Sequence, residues 1–235
     1  MKKDKARVDV MIDLETLAEQ DPNAVFLSIG AQAFNRQEQS MLGSFETTID
    51  IQSSLDSGGV IEGSTVKWWA NRSDEQRQRA FKGEVALRVA LSTFRSFLES
   101  LEGEVVLWGN GKAFDNVILA NAYRRLGMPR PWHFRKDRCY RTLKEEHPDV
   151  PYPKSAIAHC ALADARAQVE HLFSIDRAKR AVDKADRQEV ARGLLVFLED
   201  RFPWLNEPDE SVSGADVVDE LISARDALRK IVERP

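Results

Sequence analysis

The stretch DVMIDLETLAEQDPNAVFLSIGAQAF, residues 9–34, sets two carboxylates among apolar neighbours. Over residues 8–15, Val8, Val10, Ile12 and Leu14 alternate with Asp9, Met11, Asp13 and Glu15. A period of two marks a β-strand. On such a strand Asp13 and Glu15 share a face, about 7 Å apart at roughly 3.3 Å rise per residue. Adjacent carboxylates repel, and burying an unpaired charge is costly. No Lys or Arg lies between Arg7 and Arg36, so a divalent cation is the natural counter-charge. Taken alone, Asp-Leu-Glu-Thr also fits a turn before a helix, with Thr16 or Asp21 as its cap. The rest of the chain has to supply partners.

The composition narrows the classes. At 235 residues, with 43% hydrophobic and 31% charged, the chain suits one sizeable soluble domain with a helical appendage. No apolar run is long enough to span a membrane, and MKKDKARVDVMID passes from charges straight into a strand without a signal-peptide pattern. Two cysteines, Cys139 and Cys160, are too few for a disulfide framework or a zinc site and point to a reducing cytoplasm. The net charge of −4 does not advertise nucleic-acid binding, but the charge distribution does. Arg124, Arg125, Arg130, Arg135, Lys136, Arg138, Arg141 and Lys144 face a single acid, Asp137, over residues 124–144. Trp132, Phe134 and Tyr140 interleave with them, which suits an anionic, ring-bearing ligand.

Three strand-like runs (7–13, 25–34 and 42–49), separated by turn residues, predict an antiparallel meander. Short helices follow, with Ser64 and Ser73 as N-caps, then an amphipathic helix over 84–101 and a buried strand over 104–109. The segment AFDNVILANAYRRLG reads as a helix closed by Gly127, with Phe114, Ile118, Ala122 and Leu126 as its core stripe. CYRTLKEEH and CALADARAQVEHLFSIDRAKRA predict further helices. Beyond residue 180, DRQEVARGLLVFLEDRF and DVVDELISARDALRKIVERP read as two charged helices split by PWLNEPDESVSG. The layout is mixed α/β, with a domain over 1–180 and a C-terminal helical extension over 181–235.

Two more acids now matter. Asp115 stands in the first turn of the helix after strand 104–109, where an ordinary acid would serve the helix dipole. Asp164 sits among Leu162, Ala163 and Ala165, where an acid has no packing reason to be. His159 lies five residues earlier, about 140° away on a continuous helix, so both face one point only if His159 precedes the helix. Four carboxylates and a histidine are what two-metal phosphodiester hydrolysis requires. Oxygen ligands suit two divalent cations, Mg²⁺ or Mn²⁺, and an imidazole titrates where it can take a proton from water.

Asp13-x-Glu15, Asp115 and His159-x₄-Asp164 resemble, in order, the three motifs of the DEDDh branch of DnaQ-like 3′→5′ exonucleases. MIDLETL, LSIGAQAF, STVKWW, LWGNGKAFDNVIL, CYRTL and HCALADARAQ are similar to the phage DexA-type group and its mycobacterial exoribonuclease relatives, over roughly residues 7–175. The resemblance implies a ribonuclease H-like fold, a mixed five-stranded sheet with helices on both faces. It makes Asp13, Glu15, Asp115 and Asp164 the metal ligands and His159 the general base, with Glu15 also reaching the terminal 3′-hydroxyl. Thr16 and Leu17 fall where the family touches the last nucleotide, and Arg138 and Arg141 are candidate substrate contacts. Cys139 replaces the acid of the family's Asp-x-Arg-Thr string, which puts that acid's role in doubt. His133, His147 and His171 lack partners at ligand spacing and read as structural or surface residues; Trp68 and Trp69 read as core, with one of them free to stack on a base as the alternative. The expected activity is exonucleolytic removal of nucleotides from single-stranded 3′ ends, with DNA favoured slightly on the phage-like motifs and an exoribonuclease as the alternative. A silent nucleic-acid-binding module or a scaffold built on the C-terminal helices are readings of a different class. All five candidate residues are present, which argues against the silent module. The sequence leaves a homodimer open.

Overall fold

The alternating segment forms the central strand of the molecule. The computed structural model describes residues 7–111, 113–155, 157–203 and 216–233. Strand β1 (Arg7–Thr16) pairs antiparallel with β2 (Phe26–Asn35), and β2 pairs antiparallel with β3 (Ser40–Thr48). On its other edge β1 runs parallel to β4 (Glu104–Gly109), which runs parallel to the short β5 (Asp137–Cys139). The order β3-β2-β1-β4-β5 is a mixed five-stranded sheet, as expected. Pairing with β2 carries β1 past Asp13 through Glu15, with an irregularity between Glu15 and Thr16.

Between β3 and β4 lie helices α1 (Ile51–Asp56), α2 (Gly63–Ala70), α3 (Asp74–Phe81) and α4 (Leu87–Ser100). Then come α5 (Asp115–Arg125), α6 (Tyr140–Glu145), α7 (Ala161–Arg201) and α8 (Asp216–Glu233). The chain divides into two compact units, Met1–Ile175 and Asp176–Pro235. No helix among the described residues is long and apolar enough to cross a membrane.

The period of two becomes two cores. Val8, Val10, Ile12 and Leu14 pack with Leu91 and Phe94 of α4 and Ile118 and Ala122 of α5. On the opposite face Met11 packs with Val106, Trp108 and with Ala165, Val169 and Leu172 of α7. Asp9, Asp13 and Glu15 belong to this second face. Asp9 is neutralised there by Arg7 and by the Trp108 indole N–H, 2.6 Å away. Asp13 and Glu15, at the other end of the strand, have no such ion pair among the described residues.

Three local expectations are corrected. The two helices expected on either side of residue 180 are one helix of 41 residues, since VDKAD between them carries no proline or glycine to break it. The connector WLNEPDESVSG lies outside the described residues. Ser73 caps α3 with a full capping box, but Ser64 is inside α2, whose N-cap is Glu62. The Glu62 carboxylate instead accepts backbone N–H groups of Glu19, Gln20 and Asp21 and fastens the turn after β1. Trp69 is core, at 1% exposure, whereas Trp68 keeps 38% and faces a cleft.

One glycine decides how close α7 comes to the sheet. Gly30 is the register partner of Asp13, and a Cβ there would lie 2.2 Å from the Ala161 carbonyl carbon and the Leu162 nitrogen. Gly30→Ala is therefore expected to cost about 1–3 kcal/mol or more by overpacking against backbone that cannot rotate away. It should also push Asp164 outward; a denaturant midpoint and activity equal to wild type would refute this.

Candidate active site

Each acid is delivered by a separate element, and β1 is the platform. Asp13 and Glu15 leave the end of β1 on the face that α7 covers. Asp115 comes from the first turn of α5, which packs so tightly on the end of β4 that a Cβ on Gly109 would meet Asp115 Cβ at 2.9 Å. Asn116 anchors that turn: its amide donates to the Leu107 carbonyl (3.2 Å) and to Asp137 (3.0 Å). Asp164 lies in the first turn of α7, and its own N–H donates to the Cys160 carbonyl. His159 precedes the helix, at φ +58°, in the left-handed region that non-glycine residues rarely adopt. That conformation turns its ring back toward the acids. The donor atoms of Glu15, His159 and Asp164 lie within 4.8 Å of one another.

All five residues line one cleft of about 660 Å³, together with Trp68, Arg141 and Tyr152. The Trp68 ring stands edge-on to His159, with centroids 4.7 Å apart, and Arg72 lies over the Trp68 face at 4.4 Å. Gln168, one helical turn beyond Asp164, donates to Asp13 Oδ1 at 2.8 Å.

The electrostatics are those of crowded acids. Burial pushes Asp13 well above the usual carboxylate range, and the charges of Asp115, Glu15 and Asp164 add to this, while the Gln168 hydrogen bond opposes it. Burial, then Asp164 and Asp115, raises Glu15 to about 8. Burial raises Asp115 to about 7, against the pull of nearby backbone N–H groups and Arg141. Among the described residues, the buried Asp115 Oδ2 and Gln168 Oε1 have no hydrogen-bond partner. Orphaned acceptors beside clustered carboxylates and one imidazole form a hard, oxygen-rich donor set, which fits Mg²⁺ or Mn²⁺.

A family model described as the 3′-5′ exoribonuclease Rv2179c-like domain matches residues 8–175, which contain all of the sheet but Arg7 and all five site residues. The chain belongs to that family. No curated protein sequence matches it. Among solved structures, E. coli exonuclease I in complex with a dT13 oligonucleotide is 14% identical, with a TM-score of 0.57 over 76% of this chain and 43% of that one. The zinc-bound form of the E. coli exonuclease I–ssDNA complex is 15% identical, with a TM-score of 0.54 over 77% of this chain and 43% of that one. The nuclease domain of 3′hExo, a DEDDh family member bound to rAMP, is 10% identical with a TM-score of 0.48, over 73% of this chain and 92% of that one. This chain thus spans less than half of exonuclease I. At these identities the likeness is one of fold, and the fold is the ribonuclease H-like sheet of such exonucleases.

Within this Rv2179c-like domain the remaining candidates separate. Thr16 lines the cleft, its hydroxyl donates to the Ala18 carbonyl, and its own carbonyl accepts the Trp69 indole N–H. Leu17 is buried in a small core with Val25, Leu27, Trp69 and Ala80. Arg141 lines the cleft, fixed by a 3.0 Å bond to the Asn110 carbonyl. Arg138 donates instead to the Arg135 and Asp137 carbonyls and is not among the cleft residues. Its basic neighbours are also occupied: Lys136 pairs with Glu104, and Arg130 and Arg135 stack on aromatic rings. His171 is structural, held between the Tyr140 hydroxyl and the Val150 carbonyl. Gly30, Gln168 and Tyr152 were not singled out from sequence. The four-residue spacing of Asp164 and Gln168 was the available signal for Gln168; for Gly30 and Tyr152 there was none.

The two arginines should differ in salt dependence. Binding to single strands loses about 0.7 of logarithmic slope per phosphate contact removed. Arg141→Ala should flatten the slope by roughly one such contact, and Arg138→Ala should leave it near wild type. Equal slopes for wild type and Arg141→Ala would make Arg141 an ordinary rim residue.

Proposed function

We propose that the domain is a divalent-metal-dependent 3′→5′ exonuclease acting on single-stranded 3′ ends, its catalytic part extending over residues 1–180. The observation that carries this is the convergence of four acids and a histidine from β1, α5, α7 and its lead-in loop on one cleft with Arg141 on its wall. Asp13, Glu15, Asp115 and Asp164 would hold two cations, Mg²⁺ or Mn²⁺. When bound, these supply Lewis-acid polarisation of the phosphate and an activated water. His159, oriented against Trp68, takes the proton of the attacking water on an imidazole nitrogen. Arg141 compensates phosphate charge, and Glu15 is in position to receive the terminal 3′-hydroxyl.

For the sugar, the phage-like motifs lean to DNA, whereas the family description names an exoribonuclease. The family match spans every site residue, while the dT13-bound neighbour shares only the fold, which supports RNA as the substrate. Discrimination then rests on a contact to the 2′-hydroxyl.

The test uses 5′-labelled ribo- and deoxy-oligonucleotides of one sequence, single-stranded and blunt, in Mn²⁺ with and without EDTA. Stepwise shortening from the 3′ end, abolished by EDTA and faster on single-stranded RNA, is the expected result. Faster cutting of blunt duplex overturns the strand preference, and a tenfold excess of DNA cleavage overturns the sugar assignment. Binding without any cleavage favours the silent module.

A further inference from the structure

The cleft has a wall that the reaction above does not use. Tyr152 lies on the loop between α6 and His159 and lines the same cleft as Asp13 and Asp164. Its position is built. The loop is pinned by His171, whose ring nitrogens meet the Tyr140 hydroxyl at 2.6 Å and the Val150 carbonyl at 2.9 Å. The Tyr152 ring packs edge-on against His171, with centroids 5.3 Å apart, and the Lys144 ammonium covers a ring face at 5.2 Å. What remains free is the hydroxyl, which has no hydrogen-bond partner among the described residues. Burial, then the charges of Asp164, Asp13 and Glu170, pushes its phenol up to about 12, so it stays protonated at any working pH and donates.

From this arrangement we infer that Tyr152 is a substrate-contacting residue whose O–H donates a hydrogen bond to a non-bridging oxygen of the scissile phosphate. The chemistry of the wall supports this. Asp13, Glu15, Asp115 and Asp164 are acceptors and repel phosphate oxygens except through cations. A neutral donor beside them contacts the phosphate directly and adds no charge that would compete with the cations for the acids. Arg141 and Tyr152 then present donors from α6 and the loop that follows it. Lys144 over the ring and His171 packed edge-on against it hold the ring in place and leave the hydroxyl as the group that acts. The inference rests on the exonuclease reading.

The experiment compares wild type, Tyr152→Phe and Tyr152→Ala on a single strand whose terminal linkage is a phosphodiester or either phosphorothioate diastereomer. Mn²⁺ is used because it tolerates sulfur better than Mg²⁺. Tyr152→Phe keeps the ring against His171 and Lys144 and should lower kcat/KM by about 10–100-fold, the worth of one hydrogen bond to a charged group. One diastereomer should show a thio effect in wild type that disappears in Tyr152→Phe. Wild-type rates in Tyr152→Phe with a slow Tyr152→Ala mean that only ring packing matters, and this overturns the inference; equal thio effects in wild type and Tyr152→Phe also overturn it. If wild type cuts nothing, the exonuclease reading fails separately, and binding of the same strand in Ca²⁺ decides for Tyr152. Weaker binding by Tyr152→Phe supports the contact, and equal binding overturns it.

Discussion

Asp13→Ala and Asp164→Ala are each expected to lower 3′-end hydrolysis by several orders of magnitude while the protein remains folded. The acids come from three elements and converge on one cleft, so removing one leaves the others too few to hold cations against a phosphate. The same crowding predicts a gain in stability without metal. Asp13, Glu15 and Asp115 titrate above their ordinary range in the folded protein, Glu15 at about 8 and Asp115 at about 7. In the unfolded chain they titrate near about 4. The folded state therefore binds more protons in between, and metal-free stability falls as pH rises from about 4 to about 8. Asp13→Asn removes a charge and keeps the Oδ1 acceptor that Gln168 uses. Its metal-free Tm at alkaline pH should exceed that of wild type, by about 2–4 °C for each kcal/mol relieved. Adding Mn²⁺ should reverse the order, because only wild type binds it fully. Thermal scans across pH with EDTA, and again with Mn²⁺, provide the check. A metal-free wild-type Tm independent of pH, or unchanged activity in both alanine variants, would remove the metal site.

His159→Ala is expected to slow turnover by about 10²–10⁴-fold with little change in substrate affinity. The residue precedes α7, within reach of Glu15 and Asp164, and its ring stands against Trp68. At saturating Mn²⁺ the wild-type rate should rise with pH and level off, because only the unprotonated imidazole accepts a proton. The variant should lose that profile. Alanine retains a Cβ at φ +58°, so the substitution itself relieves no steric strain in the backbone. An increase in KM alone would make His159 a substrate-positioning residue.

Much of the site is legible in the chain because strand and helix periods are local. The alternation Val8 to Glu15 places Asp13 and Glu15 on one face without knowledge of any neighbour, and the spacing of His159 and Asp164 requires the histidine to precede its helix. The helix starts at Ala161. The basic run over residues 124–144 reads as one ligand-facing patch in sequence, yet of its arginines and lysines only Arg141 lines the cleft. Side chains adjacent in sequence were drawn apart by partners distant from them, Glu104 for Lys136 and aromatic faces for Arg130 and Arg135. Trp68 and Trp69 are adjacent and chemically identical, but the helical turn between them sends one to the core and the other to the cleft. The sequence alone determined which acids share a strand face and which residue types could bind metal. Tertiary structure alone decided how close they come. The Cβ missing from Gly109 admits the first turn of α5 a few residues on, whereas the Cβ missing from Gly30 admits α7, an approach between segments more than 120 residues apart that no local pattern can connect.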